Sequence, residues 1–494
     1  MLAIYKRELK SYFRSFIGFL FIAVTLFFLG LYFSVYNLMN GYPYFAYVVS
    51  SVTFLFMLTV PILTMRILAE EKRSKTDQLI LTAPVSVGGI VMGKFLALLT
   101  IFAIPVAIIC FYPLIMAQYG SVPMGEAYLS ILAYFLFGMT AIAIGLFLSS
   151  VTESQVIAAV LTFLVLFLGY MMDSICSIIS STGNLLTKLL RCFDLYTPFS
   201  NLLNGTLDVS SIVYYVSVTA LVLFLTVQSI QKRRYSMSVK NLSFSAYSTG
   251  MIAVAVALVV VVNIIMGEMP SSWTAIDMTS QKLYSLTDQT VDYVKNMQDD
   301  VTIYVLVNQD NQDTTLGQTL QRYDDLSDHI TVEYVDPTVN PMFYTQYTTG
   351  NISTNSLIVV SDKRSKVIDY NDVYESSYDF DYSTYSYNTT TTGYDGEGQI
   401  TSALDYVLND DMPKVYMTTG HNELSLSNTF TSALNKENVD YETVNLMDLD
   451  AIPDDAACLF INGATSDFSS DDKDKVIDYL NNGGKVILVT GYTD

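Results

Sequence analysis

The sequence is poor in the residues on which most catalytic and metal sites depend. Its 494 residues include only two histidines, His329 and His421, and four cysteines, at positions 110, 176, 192 and 458. Two histidines are too few for a histidine-based metal site, and the scattered cysteines fit neither a zinc site nor a disulfide framework. The sequence therefore predicts no metal centre.

Motifs for enzymatic chemistry are also missing. The pairs Gly93-Lys94 and Gly484-Lys485 lack the other residues of a P-loop, so we expect the chain to bind no ATP or other cofactor by itself. No Cys-x-x-Cys follows the strand predicted at 301–307, which argues against redox chemistry. The turns after two later strands hold Thr-Gly, at 419–420 and 490–491, instead of a nucleophile. The chain is therefore predicted not to be an enzyme.

Charged residues make up only 15% of the chain, and the two signs are unevenly distributed. Residues 1–267 hold 15 Lys and Arg against 9 Asp and Glu, whereas residues 268–494 hold 11 against 38. A basic, apolar half joined to an acidic, polar half indicates that the two halves face different solvents. The acidic half carries no basic stripe, so the sequence predicts no nucleic-acid partner.

Long hydrophobic runs dominate the first half of the chain. A helix needs about 20 apolar residues to cross the core of a bilayer. Seven such runs follow one another, at about 16–36, 45–68, 94–117, 127–149, 155–180, 212–230 and 248–266. One run alone could be a buried helix of a soluble protein, but seven in succession predict a polytopic protein of the lipid bilayer.

The positions of Lys and Arg predict how these spans are oriented. Positive charge concentrates in the N-terminal segment, predicted to be an amphipathic helix on the inner membrane face, and in the 66–94 and 231–247 connections. These segments alternate along the chain and are assigned to the cytoplasm. An odd number of spans then places residues 268–494 outside the cell (plasma) membrane. Cys176 and Cys192 would also lie outside, where a bridge between them stays open.

The outer half is predicted to fold as two α/β lobes, 268–395 and 396–494. In the second lobe strands and helices alternate with short links, which favours a parallel, doubly wound sheet. Residues 374–398 are rich in Tyr, Ser and Thr without any period, and we predict a mobile surface loop there, with a binding element as the less favoured alternative. A doubly wound lobe normally continues beyond the strand that ends near Asp494, so an incomplete lobe stays open.

His421 and Glu423 are a candidate ligand site. They follow the strand predicted at 415–418, and doubly wound sheets bind their ligands at the carboxyl ends of strands. A polar headgroup or a sugar would suit such a site. The alternative is an ordinary polar cap at a strand–helix turn, which the sequence alone favours.

The 66–94 connection resembles the loop between the second and third spans of type-2 ABC export permeases. The residues that carry the resemblance are Glu70, Glu71, Thr76, Leu79, Leu81, Pro84, Val85, Gly93 and Lys94. In that family the loop is a coupling helix that docks on an ATP-hydrolysing subunit. The resemblance therefore assigns the ATPase contact to Glu70, Glu71, Thr76, Leu79, Leu81 and Pro84. Lys75 stands where the family usually has a small residue, and a plain basic linker is the alternative.

The chain after the sixth span resembles the auxiliary, substrate-binding-like subunit of gliding-motility-associated (Gld-type) ABC transporters. The resemblance rests on the order of short segments at 273–279, 283–287, 396–404, 420–423 and 478–484. It implies a six-span permease domain at 1–230, a cytoplasmic linker at 231–247 and a seventh span at 248–266. It also implies a thioredoxin-like lobe at 268–395 and a doubly wound, glutamine-amidotransferase-like lobe at 396–494.

Together these patterns predict the membrane permease of an ATP-driven ABC exporter with a fused outer auxiliary domain. The resemblance implies a separate cytoplasmic ABC ATPase subunit, which carries ATP and Mg²⁺, and a second copy of the permease. One alternative is a membrane scaffold that anchors a surface, secretion or motility machine without transport. Another is a membrane-tethered hydrolase, against which the missing nucleophile argues.

Overall fold

The computed structural model describes most of the chain. The described residues are 1–78, 82, 84–179, 187, 190–232, 242–267, 269, 274–279, 282, 285–307, 312–350, 352–381, 386–409 and 412–490. The chain forms two compact units, Met1–Ser285 and Leu286–Asp494, and each is described by itself.

The first unit is mainly helical, as its long apolar runs predict. Its helices, α1 to α12 in chain order, are Leu2–Arg14, Phe16–Phe33, Ala46–Thr64, Ala69–Arg73, Val87–Ile109, Tyr112–Met116, Met124–Val151, Gln155–Tyr170, Met172–Ile179, Thr197–Leu203, Val209–Lys232 and Leu242–Gly267. A π-helix, Ser34–Met39, extends α2. The described part of the unit also has two short antiparallel strands, β1 (Thr206–Asp208) and β2 (Ala275–Asp277).

Six segments among the described residues are long and apolar enough to cross a membrane. They are Phe16–Met39, Ala46–Arg73, Val87–Met116, Met124–Val151, Val209–Lys232 and Ser248–Gly267. Each overlaps one of the predicted spans. The remaining predicted span, 155–180, begins with the apolar helix α8, which has 16 residues. At 1.5 Å per residue α8 is about 24 Å long, slightly less than a bilayer core of about 30 Å. The count of seven spans therefore stays a prediction.

The single helix predicted over 155–180 is wrong, because it is broken at Met171 into α8 and α9. The carbonyl of Gly169 accepts a hydrogen bond from the backbone N–H of Leu195 at 3.0 Å, so this end of α8 is bonded to a later segment. Gly169 permits the approach, since a Cβ atom there would lie 2.7 Å from Leu195 Cδ1. The apolar run continues through the break and gives no sign of it.

The two cysteines for which the sequence leaves a bridge open, Cys176 and Cys192, are not bonded to each other in the structure. Cys176 is buried, and its Sγ donates to the carbonyl of Thr187 at 3.7 Å. Cys192 is partly buried. The structure therefore contains no bridge between these two residues.

Helix α7 lies at the centre of the first unit, in contact with α3, α5, α8, α10 and α11. Its side chains Tyr134 and Phe137 are almost completely buried. Gly145 allows α3 to come close, because a Cβ atom there would lie 2.2 Å from Thr64 Oγ1. Close packing around α7 fixes the ends of α3 and α5 between which the predicted docking residues lie.

The second unit begins with a mixed sheet. Its strands, β3 to β6, are Val301–Val305, Ile330–Tyr334, Leu357–Val360 and Ser365–Ile368, and its helices, α13 to α16, are Asp288–Lys295, Thr314–Leu326, Tyr370–Val373 and Gly396–Leu408. The strand order is β4-β3-β5-β6, in which β3 and β4 are parallel and the other pairs antiparallel. Alternate residues of β3, Ile303 among them, are buried against α14. The strand predicted at 301–307 is confirmed over Val301–Val305.

The loop predicted at 374–398 is wrong for most of its length. Tyr374–Asp381 (β7) and Ser386–Tyr394 (β8) form an antiparallel hairpin, with a shift of register between Glu375 and Ser376. Tyr and Thr have high strand propensity, so the composition supports pairing although no apolar residues alternate.

The last part of the second unit is a parallel sheet, as the alternation of strands and helices predicts. Its strands, β9 to β12, are Lys414–Thr419, Asp440–Asn445, Ala456–Asn462 and Val486–Val489, and its helices, α17 and α18, are Asn428–Lys436 and Ser470–Asn481. The order is β10-β9-β11-β12, and every pair is parallel. The chain order reverses between β9 and β11, and in sheets of this kind ligands bind beside the carboxyl ends of the two strands at the reversal.

Candidate functional site

The structure places the predicted docking residues between α3 and α5. Glu70 and Glu71 lie in the first turn of α4, a helix of only five residues. Thr76 follows α4, and its hydroxyl donates to the carbonyl of Glu71 at 3.3 Å. These three residues therefore share one short segment, 69–76, which we call the docking turn.

The other predicted docking residues lie further along the chain. Pro84 is exposed and precedes Ser86, whose hydroxyl caps α5 by accepting a hydrogen bond from the N–H of Gly89 at 3.2 Å. Leu79 and Leu81 lie outside the described residues, so their part in an ATPase contact stays a prediction.

Lys75 gives the docking turn an unusual backbone. Its φ is +57°, in the left-handed region that glycine and asparagine adopt most readily. The small residue that the resemblance implies before Thr76 would suit this conformation. The hydroxyls of Ser74 and Thr76, 2.9 Å apart, accompany the bend.

A buried charge network joins the docking turn to α1 and α5. The side chain of Lys94, in α5, is completely buried, and its Nζ lies 3.0 Å from Glu8 Oε1 and 2.8 Å from Glu71 Oε2. The same Nζ donates to the carbonyl of Ile67 at 3.0 Å. Arg7 pairs with Glu8 and with Glu71, whose Oε1 lies 2.7 Å from Arg7 Nη2.

The charges in this network offset the effect of burial. Burial alone would raise the pKa of Glu8, but Lys94 and Arg7 lower it, and the resulting pKa lies below the usual range. Glu8 is therefore a carboxylate at neutral pH, although it is 7% exposed. Buried ions of opposite charge in contact avoid most of the penalty that each would have alone.

A second set of bonds joins the docking turn to α7. Ser149 Oγ accepts hydrogen bonds from the backbone N–H groups of Leu68 at 3.2 Å and Ala69 at 3.0 Å. Lys72 Nζ donates to the carbonyl of Val151 at 3.0 Å. The start of α4 is therefore fixed to the end of α7.

A partly open polar cavity of about 230 Å³ lies beside the charge network. Residues of α1 and of the docking turn line it together: Arg7, Glu8, Ser11, Tyr12, Arg66, Ile67, Glu70, Glu71, Ser74 and Thr76. Helix α1 and the docking turn therefore form one surface.

No sequence pattern identifies Arg7 or Glu8 as a site residue. Lys94 contributes to the family resemblance and to the positive charge of the 66–94 connection, but it is not among the residues assigned to the ATPase contact. The available signal is a single lysine in the second turn of an apolar helix, together with a lone glutamate in the basic helix α1. Their pairing depends on how α1 folds back, which no local pattern reveals.

The second candidate site lies at the carboxyl end of β9. His421 is 4% exposed, and its ring stacks on Phe468 with the centroids 4.0 Å apart. His421 Nδ1 lies 3.5 Å from Glu423 Oε1, and Nε2 lies 3.3 Å from Asp472 Oδ2. The two predicted residues are therefore close together, and Asp472 of α18, which the sequence analysis does not identify, completes the cluster.

Hydrogen bonds favour the charged forms of both carboxylates. The Ser469 hydroxyl donates to Asp472 Oδ2 at 2.6 Å and, with Lys475 and His421, lowers the pKa of Asp472 against the effect of burial. Burial would raise the pKa of Glu423, but the backbone N–H of His421, 2.7 Å from Glu423 Oε2, helps to lower it below its usual range.

Three polar atoms of this cluster have no hydrogen-bond partner in the described part of the chain. They are His421 Nδ1, Glu423 Oε1 and Asp472 Oδ1. His421 Nδ1 and Glu423 Oε1 lie 3.5 Å from each other, and Asp472 Oδ1 lies 3.5 Å from Lys475 Nζ. Among the described residues, no group of three or more His, Cys, Asp or Glu is arranged to hold a metal ion.

The ends of α11 and α12 are joined by paired strands. β1 directly precedes α11, β2 follows α12, and Leu207 is paired with Ile276 in their register. The N–H of Met278 continues the pairing by donating to the carbonyl of Gly205 at 2.9 Å. Gly205 has a φ of +91°.

Two side-chain hydrogen bonds also join α11 and α12. Asn263 Nδ2 donates to Ser217 Oγ at 2.9 Å, and Ser248 Oγ donates to Gln228 Oε1 at 2.9 Å. The bonds lie near opposite ends of α12. Together with the β1–β2 pair they make α11 and α12 a closed helical hairpin.

Comparisons with known proteins bear on both units. Residues 32–230 match the family described as ABC-2 family transporter protein. Residues 280–373 match a domain of unknown function, DUF7088. No curated protein matches the chain.

The first match runs from the end of α2 through α11 and includes the docking turn and Lys94. The apolar helices of the first unit agree with a multi-pass membrane protein. Residues 32–230 are therefore similar to the membrane domain of an ABC-2 family transporter protein.

Proposed function

We propose that the chain is the permease subunit of an ATP-driven exporter and carries a fused auxiliary domain outside the membrane. The observation that carries the proposal is the match of residues 32–230, which includes the docking turn with Glu70, Glu71 and Thr76. The ATPase, with its ATP and Mg²⁺, is a separate cytoplasmic subunit that docks on 70–85. A second copy of the permease completes the transport path.

The attachment of the docking turn to its neighbouring helices supports the proposed contact with an ATPase. Helix α1 and the docking turn form one surface, and a short helix such as α4 has little stability of its own. The docking turn depends on α5 and α7 for its position, through Lys94 and Ser149. An attached segment of this kind can transmit force, whereas a plain basic linker would need no such bonds.

The β1–β2 pair supports the proposed topology. Two crossings, by α11 and α12, return the chain to the side on which it started, and the pairing of β1 with β2 requires this. The distribution of Lys and Arg assigns that side to the exterior. Residues 268–494 then lie outside, and the N-terminus lies in the cytoplasm.

The strand orders support the two auxiliary lobes. The mixed order β4-β3-β5-β6 suits a thioredoxin-like lobe, and the parallel order β10-β9-β11-β12 suits a doubly wound, amidotransferase-like lobe. The His421, Glu423 and Asp472 cluster lies at the carboxyl end of β9, where we place the binding of a polar headgroup or a sugar. We assign the whole to the gliding-motility-associated type of transporter.

The direct test is association with an ATPase. The tagged chain is purified from its native membranes, a co-purifying P-loop ATPase is identified by mass spectrometry, and the two are expressed together. We expect a stable complex that hydrolyses ATP, while the chain alone has no activity. If no ATPase associates with the intact chain, the scaffold alternative replaces the transport proposal.

The topology is tested by cysteine labelling in a cysteine-free background. Single cysteines replace Thr349 and Ser466, both exposed in the second unit, and Ser74, exposed in the docking turn, serves as the internal control. An impermeant maleimide should label the first two in intact cells and Ser74→Cys only after permeabilisation. The reverse pattern would contradict the proposed orientation.

A further inference from the structure

Lys94 is a charged residue in an apolar setting. It lies in the second turn of α5, and its side chain is completely buried. Removing an ammonium group from water costs several kcal/mol unless partners compensate for it. A buried lysine of this kind need not stabilise the fold. Its presence in α5 therefore calls for another explanation.

The partners of Lys94 come from three separate parts of the first unit. An ammonium group has three donors, and Lys94 has three acceptors, on Glu8 of α1, Glu71 of α4 and Ile67 in the turn after α3. All three distances are 2.8 to 3.0 Å. The hydrogen-bonding capacity of Lys94 is therefore complete, and one side chain fixes three elements to α5.

We infer that Lys94 is a positioning residue that makes α5 follow the docking turn when the ATPase moves it. This inference rests on the proposed function. Lys94 does not contact the ATPase, because it is buried, and it acts through Glu71 and Glu8. Helix α1 moves with the same assembly through Glu8 and Arg7.

The docking turn has one set of bonds to α7, through Ser149, and another to α5, through Lys94. The first set holds the turn in place, and the second transmits its movement. Ser149 holds the start of α4 to α7 and is independent of Lys94. When Lys94 is replaced by an uncharged residue, the docking turn keeps its bonds to α7 and its ATPase contact. Its connection to α5 is lost. The expected defect therefore lies in transmission and not in assembly.

The test uses the complete chain in complex with its co-purifying ATPase. Lys94→Met alone leaves Glu8 and Glu71 paired only with Arg7, so it is combined with Glu8→Gln in a double variant that leaves the predicted docking residue Glu71 unchanged. Glu8→Gln alone keeps Lys94 bonded to Glu71 and Ile67 and is the milder variant. Lys10→Met replaces an exposed lysine of α1 and is the matched control.

Transmission is measured at the other end of the membrane domain. Tyr119, 80% exposed in the connection between α6 and α7, is replaced by Cys in a cysteine-free background. The maleimide labelling rate is compared with and without a non-hydrolysable ATP analogue. We expect the rate to change about fivefold or more in the parent and in Lys10→Met, about half as much in Glu8→Gln, and not at all in the double variant, in line with losing part or all of a coupling of 1–3 kcal/mol.

The amount of ATPase that binds and the response of the labelling rate to nucleotide are measured separately in each variant. The inference requires that the double variant retains the ATPase at the level of the parent. It is overturned if the double variant responds to nucleotide like the parent, or if it loses the ATPase while Glu8→Gln responds fully. If the parent neither binds an ATPase nor responds, the proposed function itself fails, and this inference fails with it.

Discussion

Asn263 of α12 donates a hydrogen bond to Ser217 of α11, with 2.9 Å between Nδ2 and Oγ. Apolar surface in a membrane gives no strong drive for helices to associate, so polar pairs of this kind hold them together. Most of α12 is exposed, and its apolar residues can face lipid. The attachment of α12 to α11 therefore depends on a few specific bonds.

Replacing Asn263 by Leu should weaken the packing of α12 on α11. Hydrogen bonds between membrane helices are worth about 0.6–2 kcal/mol, so the loss should be of that size. This loss is measured as a lower yield of disulfide cross-linking between cysteines introduced in α11 and α12. Val254→Leu, at a position that is 67% exposed, is the matched control and should have no effect.

The register of β1 and β2 predicts a specific cross-link. Cysteines at Leu207 and Ile276, which are directly opposite each other, should form a disulfide under mild oxidation in a cysteine-free background. A cysteine in place of Ala275 is one residue out of register with a cysteine in place of Leu207, and it points to the other face of the strand pair. This second pair should therefore form a disulfide much more slowly. Equal yields for the two pairs would contradict the pairing.

Lys75→Gly should stabilise the docking turn. A non-glycine residue in the left-handed region costs about 1–2 kcal/mol, which glycine avoids, although its more flexible unfolded chain returns part of the gain. We expect a net gain of about 0.5–1 kcal/mol, measured as a higher midpoint of thermal unfolding in detergent. Lys72→Gly, inside α4, is the control and should destabilise, because glycine weakens a helix interior and the hydrogen bond from Lys72 to Val151 is lost.

Acid should loosen the last lobe through Asp472 and Glu423. Both have a pKa below the usual range, so their folded forms release protons more readily than their unfolded forms. Such groups stabilise the fold above their ordinary pKa values of 3.8 and 4.5, and the stabilisation is lost as pH falls through the lowered values. Limited proteolysis of the full chain between pH 7 and about pH 3 should show this loss.

The Asp472→Asn variant tests the same cluster at neutral pH. It removes a carboxylate beside His421 and the acceptor of the Ser469 hydroxyl, so the lobe should become more sensitive to protease at pH 7 and lose most of its response to acid. Asp471→Asn, at the exposed neighbour, is the control. A similar response from both variants would show that the cluster does not govern the effect.

The elements of the fold are largely predictable from the sequence, because a bilayer demands about 20 apolar residues per span and a half-buried strand demands alternation. The break at Met171 is not predictable, since the apolar run continues and the bond that accompanies it comes from Leu195. The hairpin at 374–394 is missed for a related reason. Its Tyr, Ser and Thr residues pair through the backbone without an apolar period to signal it.

The candidate sites also contain some residues that the sequence indicates and others that it does not. Glu71, Thr76 and His421 are each indicated by a local pattern, a family motif or the end of a strand. Glu8 and Asp472 are not, because each completes its cluster from another element. Local sequence indicates which residues are unusual, but their partners depend on tertiary packing.

The pairing of β1 with β2 also sets an order of events during synthesis. β1 emerges from the ribosome before α11, but its partner emerges only after α12 and the chain that follows it. Its ladder bonds must therefore wait until both helices have been inserted, and a long loop must close late. The first unit of this chain cannot finish folding until the segment after α12 that contains β2 has been made.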